Sequence, residues 1–125
     1  MAGKFIDDSI YDAGLNVVKN NGTEIYLCTS SPATRAAAIT AAVASRTGLT
    51  SGSYSGPANG DVSGRKLTKS AENTITASAS GTATHVAICT GALLLSVTDV
   101  PSQVVTSGNT VNIAAFDIEF PDVTQ

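Results

Sequence analysis

Short strand-like segments, separated by turn residues, fill the chain after Gly64 and restrict the fold more than any other feature. They are rich in Thr, Val, Ile and Ala and occupy residues 65–70, 73–78, 82–90, 92–98, 103–105 and 110–120. The segments are divided mostly by turn signals, at Ala71-Glu72, Ser80-Gly81, Gly91, Pro101 and Ser107-Gly108-Asn109. This spacing predicts a mainly β fold, either an antiparallel β-sandwich or a partly open barrel.

The last of these segments changes phase in its middle. Val111 and Ile113 point to one face of a strand, whereas Phe116, Ile118 and Phe120 point to the other. The slip falls at Ala114-Ala115. It predicts either a β-bulge or a strand that passes from one sheet to another.

The beginning of the chain has the pattern of one amphipathic helix over about residues 7–20. Asp7 or Asp8 can cap its N-terminus, and Asn20-Asn21-Gly22 is a typical helix stop. Apolar residues recur at helical spacing and form a stripe of Ile6, Ile10, Ala13 or Gly14, and Val17. Leu15 and Val18 widen this stripe on one side. We expect the helix to pack over one side or one end of the β structure.

The segment between this helix and the β region is less uniform. Residues 24–29 have strand composition and end at Ser30-Ser31-Pro32. Residues 33–43 are Ala-rich, which favours a helix by propensity, yet Arg35 is their one polar helix former. A loop with a short helical turn is the alternative there.

The length and composition indicate a single β-rich domain over residues 1–125. A chain of this size buries roughly two thirds of its unfolded surface. Aromatic residues make up 5 % and charged residues 14 %, and Trp is absent. Small side chains leave little depth for a ligand pocket, and so much uncharged surface is easiest to explain if an assembly covers part of it.

The charge argues against one class of partner, and the pattern of apolar residues argues against secretion and membrane insertion. The net charge of −3 argues against a nucleic-acid-binding protein, which normally has a basic face. Residues 1–8 contain no apolar run of the signal-peptide type, and no segment approaches the roughly 20 apolar residues of a membrane span. We therefore expect folding in a cytoplasm, with Cys28 and Cys89 as free thiols.

No catalytic or metal-binding pattern is present in the sequence. His85, the single histidine, lies four residues from Cys89, which on a strand separates their Cα atoms by about 13 Å. There is no Cys-x-x-Cys, His-x-x-His or calcium-loop spacing. We expect a structural histidine, no cofactor, no metal and no enzymatic activity.

Residues 48–64 are Gly- and Ser-rich and predict a long loop without regular structure. Its apolar pair, Leu49 and Tyr54, suggests a docking arm that uses both side chains as buried contacts with a partner. An inert surface loop is the alternative.

The following basic cluster, Arg65, Lys66 and Lys69, is either a solvated strand edge or a contact with an acidic partner.

Several stretches resemble those of a family of small tailed-phage virion structural proteins. The resemblance covers most of the chain. It includes residues 12–21, Glu24-Ile25-Tyr26-Leu27-Cys28, Pro32-Ala33-Thr34, residues 60–66, Ser80-Gly81-Thr82-Ala83-Thr84-His85-Val86-Ala87, residues 106–113 and Asp117-Ile118-Glu119. These are turn-and-strand signatures, so they identify a scaffold rather than a mechanism.

The resemblance implies a virion component that binds the major capsid protein or other virion proteins in many copies, as a capsid decoration or cement protein. A ring-forming neck or tail protein is the next interpretation. A receptor- or glycan-binding β module is another alternative, although the sequence has no Trp and Tyr54 is the one Tyr of the long loop.

Overall fold

A computed structural model describes residues 6–61 and 63–121 of the chain. Two helices, nine strands and a short 3-10 turn make up this part. They follow one another as α1 (Asp8–Asn21), β1 (Glu24–Cys28), α2 (Arg35–Ala41), β2 (Ala42–Arg46), the 3-10 turn (Ser51–Ser53), β3 (Tyr54–Asn59), β4 (Arg65–Lys69), β5 (Glu72–Thr76), β6 (Gly81–Cys89), β7 (Leu94–Val105), β8 (Thr110–Ile113) and β9 (Phe116–Phe120).

The strands form antiparallel sheets that pack as a partly open β-sandwich. The first sheet has the order β2-β1-β6-β7, the second β3-β4-β9, and β5 pairs with β8 as a two-stranded sheet. Within the described residues the strands do not close into a barrel. The predicted fold class, mainly β with one N-terminal helix, is confirmed.

The main core lies between the inner face of the first sheet and the elements opposite it. Alternate residues of β1 and β6 supply that inner face, and the strands β4, β5 and β8 together with α1 cover it. The buried side chains at the centre include Ile25, Leu27, Val86 and Ile88 from the first sheet and Leu15, Leu67, Ile75, Val111 and Ile113 from the other elements.

Helix α1 begins and ends as its sequence predicts. Asp7 is the N-cap and accepts a hydrogen bond from the Ser9 backbone N–H (2.9 Å). The Gly22 N–H closes the other end on the Val18 carbonyl oxygen (2.7 Å). The prediction of a helix over about residues 7–20 is therefore confirmed.

The predicted stripe of α1 is correct for Leu15 and Val18 but wrong for Ile10 and Val17. The helix buries Tyr11, Leu15 and Val18, whereas Ile10 is 63 % and Val17 50 % exposed. Both sets have helical spacing, so the pattern alone cannot distinguish them.

Polar residues of α1 contact β3 and β4 and help to fix the rotation of the helix. Asp12 forms an ion pair with Arg65 of β4 (2.8 Å), and Lys19 Nζ donates to the Gly56 carbonyl oxygen of β3 (2.8 Å). These partners lie far along the chain, which is why periodicity could not reveal them.

The Ala-rich segment contains both a helix and a strand. Thr34 caps α2 by accepting a hydrogen bond from the Ala37 N–H (3.1 Å), and the chain passes directly from α2 into β2. Helix α2 covers the outer face of the first sheet, where it encloses a second buried cluster of Tyr26, Cys28, Ala38, Ala87 and Cys89. Both cysteines are free and buried there, and burial raises the pKa of Cys28 to about 11.

The phase slip in the last segment marks a change of sheet. Strand β8 pairs with β5, and β9 pairs with β4, so Ala114 and Ala115 connect two different sheets. This outcome confirms one of the two predicted alternatives.

Pro101 does not separate two strands, contrary to the turn prediction. Strand β7 is continuous over twelve residues, and its pairing with β6 shifts register between Ala83 and His85, opposite the proline. Proline lacks a backbone N–H, and it is tolerated at an edge strand or bulge because no ladder hydrogen bond is lost.

Candidate functional site

The prediction of a long irregular loop over residues 48–64 is wrong. The chain makes a 3-10 turn and then β3, which pairs with β4. Leu49 and Tyr54 are both buried in the main core, so neither side chain is free to anchor a docking arm.

Tyr54 is fixed at both ends of its side chain. Its hydroxyl donates to the Gly22 carbonyl oxygen (2.7 Å), and its ring packs in the core. Burial, with a smaller contribution from the charge of Glu72, raises the pKa of Tyr54 to about 12. Tyr54 therefore joins the end of α1 to the second sheet.

Lys69 is fully buried, so a solvated strand edge is the wrong description of it. Its ammonium group donates to Glu72 Oε2 (2.6 Å) and to the Ser70 carbonyl oxygen (2.7 Å), and it lies 5.7 Å from the centre of the Tyr54 ring. Arg46 Nη1 donates to the other oxygen of Glu72 (2.9 Å). Burial opposes ionisation of Glu72, but these two donors outweigh it and lower the pKa of the carboxyl group.

Arg65 and Lys66 also have partners inside the molecule. Arg65 donates to Asp12 (2.8 Å) and to Asn59 Oδ1 (2.8 Å). Lys66 contacts Asp61 (2.6 Å) and Asp117 (3.5 Å). The predicted basic cluster thus lies together on β4, but much of its charge is neutralised by the chain itself.

An apolar pocket opens between the free side of β7 and the segment that joins β8 to β9. Its volume is about 260 Å³. The lining comes from β1, β6, β7 and residues 112–116: Leu27, Val86, Asp99, Val100, Pro101, Gln103, Asn112, Ile113, Ala114, Ala115 and Phe116. The sandwich is therefore open at this side, where the pocket reaches the core residues Leu27, Val86 and Ile113.

Strand β7, beside the pocket, forms an edge of the first sheet. Among the described residues β6 is its one strand neighbour. By sequence, Asp99 is the single ionisable residue of its twelve. Val104 is 82 % exposed. A long edge strand with unpaired backbone groups and little charge is a ready template for pairing with another chain.

His85 lies in a hydrogen-bonded array that the sequence did not reveal. Its Nε2 is 2.8 Å from Asp99 Oδ1, and its Nδ1 is 2.8 Å from Thr84 Oγ1. Thr84 Oγ1 is also 3.1 Å from the Thr29 carbonyl oxygen. The pairing of β6 with β7 brings Asp99 opposite His85, so knowledge of that register would have been the signal.

The array has the order of a hydrolase triad but different surroundings. The Asp99 side chain is 92 % exposed, so water rather than a buried hydrogen-bond network surrounds its carboxylate. The Thr84 hydroxyl has one proton and two candidate acceptors, Thr29 and His85. These features fit a tie between Thr29, which follows β1, and the strands β6 and β7 better than an activated nucleophile.

Residues 6–61 and 63–121 contain neither a group of side chains suited to a metal ion nor a helix suited to crossing a membrane. Within them, no three His, Cys, Asp or Glu side chains are grouped so that they could hold a metal ion. No helix in the same part of the chain has the length and apolar character to cross a membrane.

Comparisons of the chain with protein-family models, with curated proteins and with solved structures find no match in any of the three.

Proposed function

We propose that the protein is a non-enzymatic structural subunit of a tailed-phage virion, a decoration or cement protein that stabilises the capsid shell. The observation that carries this proposal is the open edge of the first sheet, where twelve-residue β7 borders an apolar pocket. The turn-and-strand resemblance to small virion proteins supports the placement in a virion.

The proposed contact is addition of a strand from the major capsid protein to β7. Main-chain hydrogen bonds to the free edge supply affinity, and a side chain that enters the neighbouring pocket supplies specificity. The pocket suits an aliphatic side chain, because Leu27, Val86, Ile113 and Phe116 line it. Because the contact is repeated over many copies, individually modest contacts together stabilise the shell strongly.

A ring-forming neck or tail subunit is the second candidate. Strands β2 and β7 lie at opposite ends of the order β2-β1-β6-β7. Pairing of β7 with β2 of the next copy is a heterologous contact, which closes into a ring if the rotation between copies allows it. A glycan-binding module has less support, because Tyr54, its candidate platform, is buried.

Co-sedimentation with capsid shells tests the decoration role. The purified chain is mixed with shells of the major capsid protein from the same phage genome, and the bound copies are counted by quantitative mass spectrometry. We expect on the order of tens to hundreds of copies per shell. Absence of binding overturns the proposal, and about six or twelve copies favour a neck ring instead.

A matched pair of variants tests the role of β7. Val104→Lys adds a charge to the exposed edge strand, and we expect at least about tenfold weaker shell binding with an unchanged melting temperature. Ala36→Lys adds the same charge on the exposed face of α2 and should bind as the wild type does. Equal binding by both variants contradicts the assignment of β7 as the contact.

A further inference from the structure

Basic and acidic residues are unevenly distributed along the chain. All seven Lys and Arg residues lie at or before Lys69, whereas residues 70–125 contain five Asp and Glu residues and neither Lys nor Arg. Strands β5 to β9 all come from this acidic part. Within it, Glu72 and Asp117 form ion pairs with lysines of β4. Their charge is therefore neutralised inside the domain.

The carboxylate of Asp99, on the edge strand β7, has no such partner. His85 Nε2 lies 2.8 Å from Asp99 Oδ1, and the Asp99 side chain is 92 % exposed. No described residue donates a hydrogen bond to Oδ2 of Asp99. Because a carboxylate accepts hydrogen bonds through both oxygens, Asp99 can bind a cation and keep its contact with His85.

The register between β6 and β7 fixes the face on which Asp99 lies. Asp99 is opposite His85, and Thr98 is opposite Val86. Val86 belongs to the main core, so Thr98 is on the inner face of the sheet and Asp99 on the outer face. In a strand added to β7, the residue opposite Asp99 also points outward. Its two neighbours point inward, to the side where the apolar pocket opens.

A second copy of this chain does not offer a strand with a free cation. All six Lys and Arg residues of the described ranges already have partners within the domain: Lys19, Arg35, Arg46, Arg65, Lys66 and Lys69. Strand β4, which contains three of them, lies between β3 and β9. At the outer edge of β2, the Val43 carbonyl oxygen accepts the N–H groups of Ser78 (2.8 Å) and Ala79 (3.4 Å), which leaves less of β2 for a ring contact. Charge complementarity therefore favours a different protein as the partner of β7.

We propose that β7 binds an extended segment of a partner protein in which a Lys or Arg residue lies between two aliphatic residues. The cation pairs with Asp99 on the outer face, and a flanking aliphatic side chain enters the pocket beside Val100. Main-chain hydrogen bonds to the free edge hold the segment extended. This inference rests on the strand addition proposed above and specifies the chemistry of the added strand, whichever protein supplies it.

Fluorescence anisotropy with labelled peptides tests the charge. The probes are Thr-Val-Thr-Val-Lys-Val-Thr-Val-Thr and the same peptide with Glu in place of Lys. We expect the wild type to bind the Lys peptide at least about fivefold more tightly, with a preference that decreases as salt is added. Asp99→Lys should reverse the preference, and since this side chain is exposed, the melting temperature should stay close to that of the wild type. Asp8→Lys, the same charge change at the exposed start of α1, should keep the preference for Lys.

A third peptide tests the pocket. It has Ser in place of the two Val residues that flank Lys, and we expect it to bind the wild type at least about tenfold more weakly than the Val peptide. Ala115→Phe places a large side chain in the pocket lining and should weaken binding of the Val peptide to a similar extent. Ala36→Phe, on the exposed face of α2, is the matched control and should bind as the wild type does. Equal affinity for the Ser and Val peptides overturns the proposal.

The outcomes also separate this inference from the decoration role. A preference for the Lys peptide that reverses in Asp99→Lys supports the inference even if capsid shells do not bind. Equal binding of the Lys and Glu peptides, or binding of neither, overturns it even if shells bind. Stronger binding of both peptides by Asp99→Asn than by the wild type also overturns it, because Asp99 would then only protect the edge strand from pairing.

Discussion

At the scale of single residues, the most unusual group is the buried ammonium of Lys69. It contacts Glu72, a backbone carbonyl oxygen and the face of Tyr54, so each of its interactions is made within the domain. The sequence shows that Lys66 and Lys69 lie on the same strand. It does not show that Lys69 is buried whereas Lys66 is partly exposed. That difference depends on β5 and on Arg46, which approach from elsewhere in the chain.

Lys69→Met should destabilise the protein by about 3 kcal/mol, because it leaves the carboxylate of Glu72 without its closest partner in a buried position. Arg46 keeps its contact and limits the loss. Lys66→Met on the same strand is the control and should cost less than about 1 kcal/mol, since its ion pairs are partly solvated. Chemical denaturation measures both. Equal losses for the two variants would show that burial does not distinguish these lysines.

At the scale of elements, the sequence reveals those whose pattern is local. Helix α1, strands β1, β4, β5 and β6, and the division between β8 and β9 all follow from periodicity and turn residues. Strands β2 and β3 were not predicted, because Ala-rich and Gly/Ser-rich segments have little intrinsic β preference. Their partners β1 and β4 make them strands by pairing. For α1 the sequence identified Leu15 and Val18 but not Tyr11, because contacts with distant strands help to fix the rotation of the helix.

The connection at Ala114-Ala115 gives a test at this scale. Deletion of Ala114 shifts the phase of the following strand by one residue, which turns Phe116 and Ile118 away from their present face. We expect loss of the cooperative folding transition, or a melting temperature lower by ten degrees or more, on the order of 2 kcal/mol for a domain of this size. Ala114→Ser keeps the phase at an exposed position and should change stability by less than about 0.5 kcal/mol. A deletion variant with wild-type stability would show that the connection absorbs the slip.

At the scale of the whole molecule, buried and half-buried ion pairs link α2, β1, β2 and β5. The hydrogen bond from Arg35 lowers the pKa of Glu24. For Glu72, burial alone would raise the pKa, but Lys69 and Arg46 together lower it. The sequence contains all of these residues, yet only the folded chain pairs them, because their separations reach 26 residues.

Acid should therefore lower the free energy of unfolding within a defined pH range. A carboxyl group with a folded pKa below its ordinary value of 4.5 stabilises the protein above that value. This contribution decreases as the pH falls below 4.5 and is lost once the pH has passed through the folded pKa. The free energy of unfolding, measured by denaturant titration between pH 7 and pH 3, should decrease in that window.

Variants identify the groups responsible for the acid effect. The double variant Glu24→Gln, Glu72→Gln should be less stable at neutral pH and should show a flatter pH dependence than the wild type. An identical slope in the double variant and the wild type would assign the acid sensitivity to other carboxyl groups.

Residues 110–120 contribute one strand to each of two sheets, and this has a consequence for biosynthesis. Strand β5 has β8 as its partner, and the second sheet needs β9 to complete the order β3-β4-β9. Both late strands lie between Thr110 and Phe120, after every other described element in the order of synthesis. The part of the core that Val111 and Ile113 cover therefore stays exposed to water until β8 has been synthesised. Closure of the sandwich waits for this last stretch, and until then the nascent chain exposes the kind of apolar surface that chaperones bind.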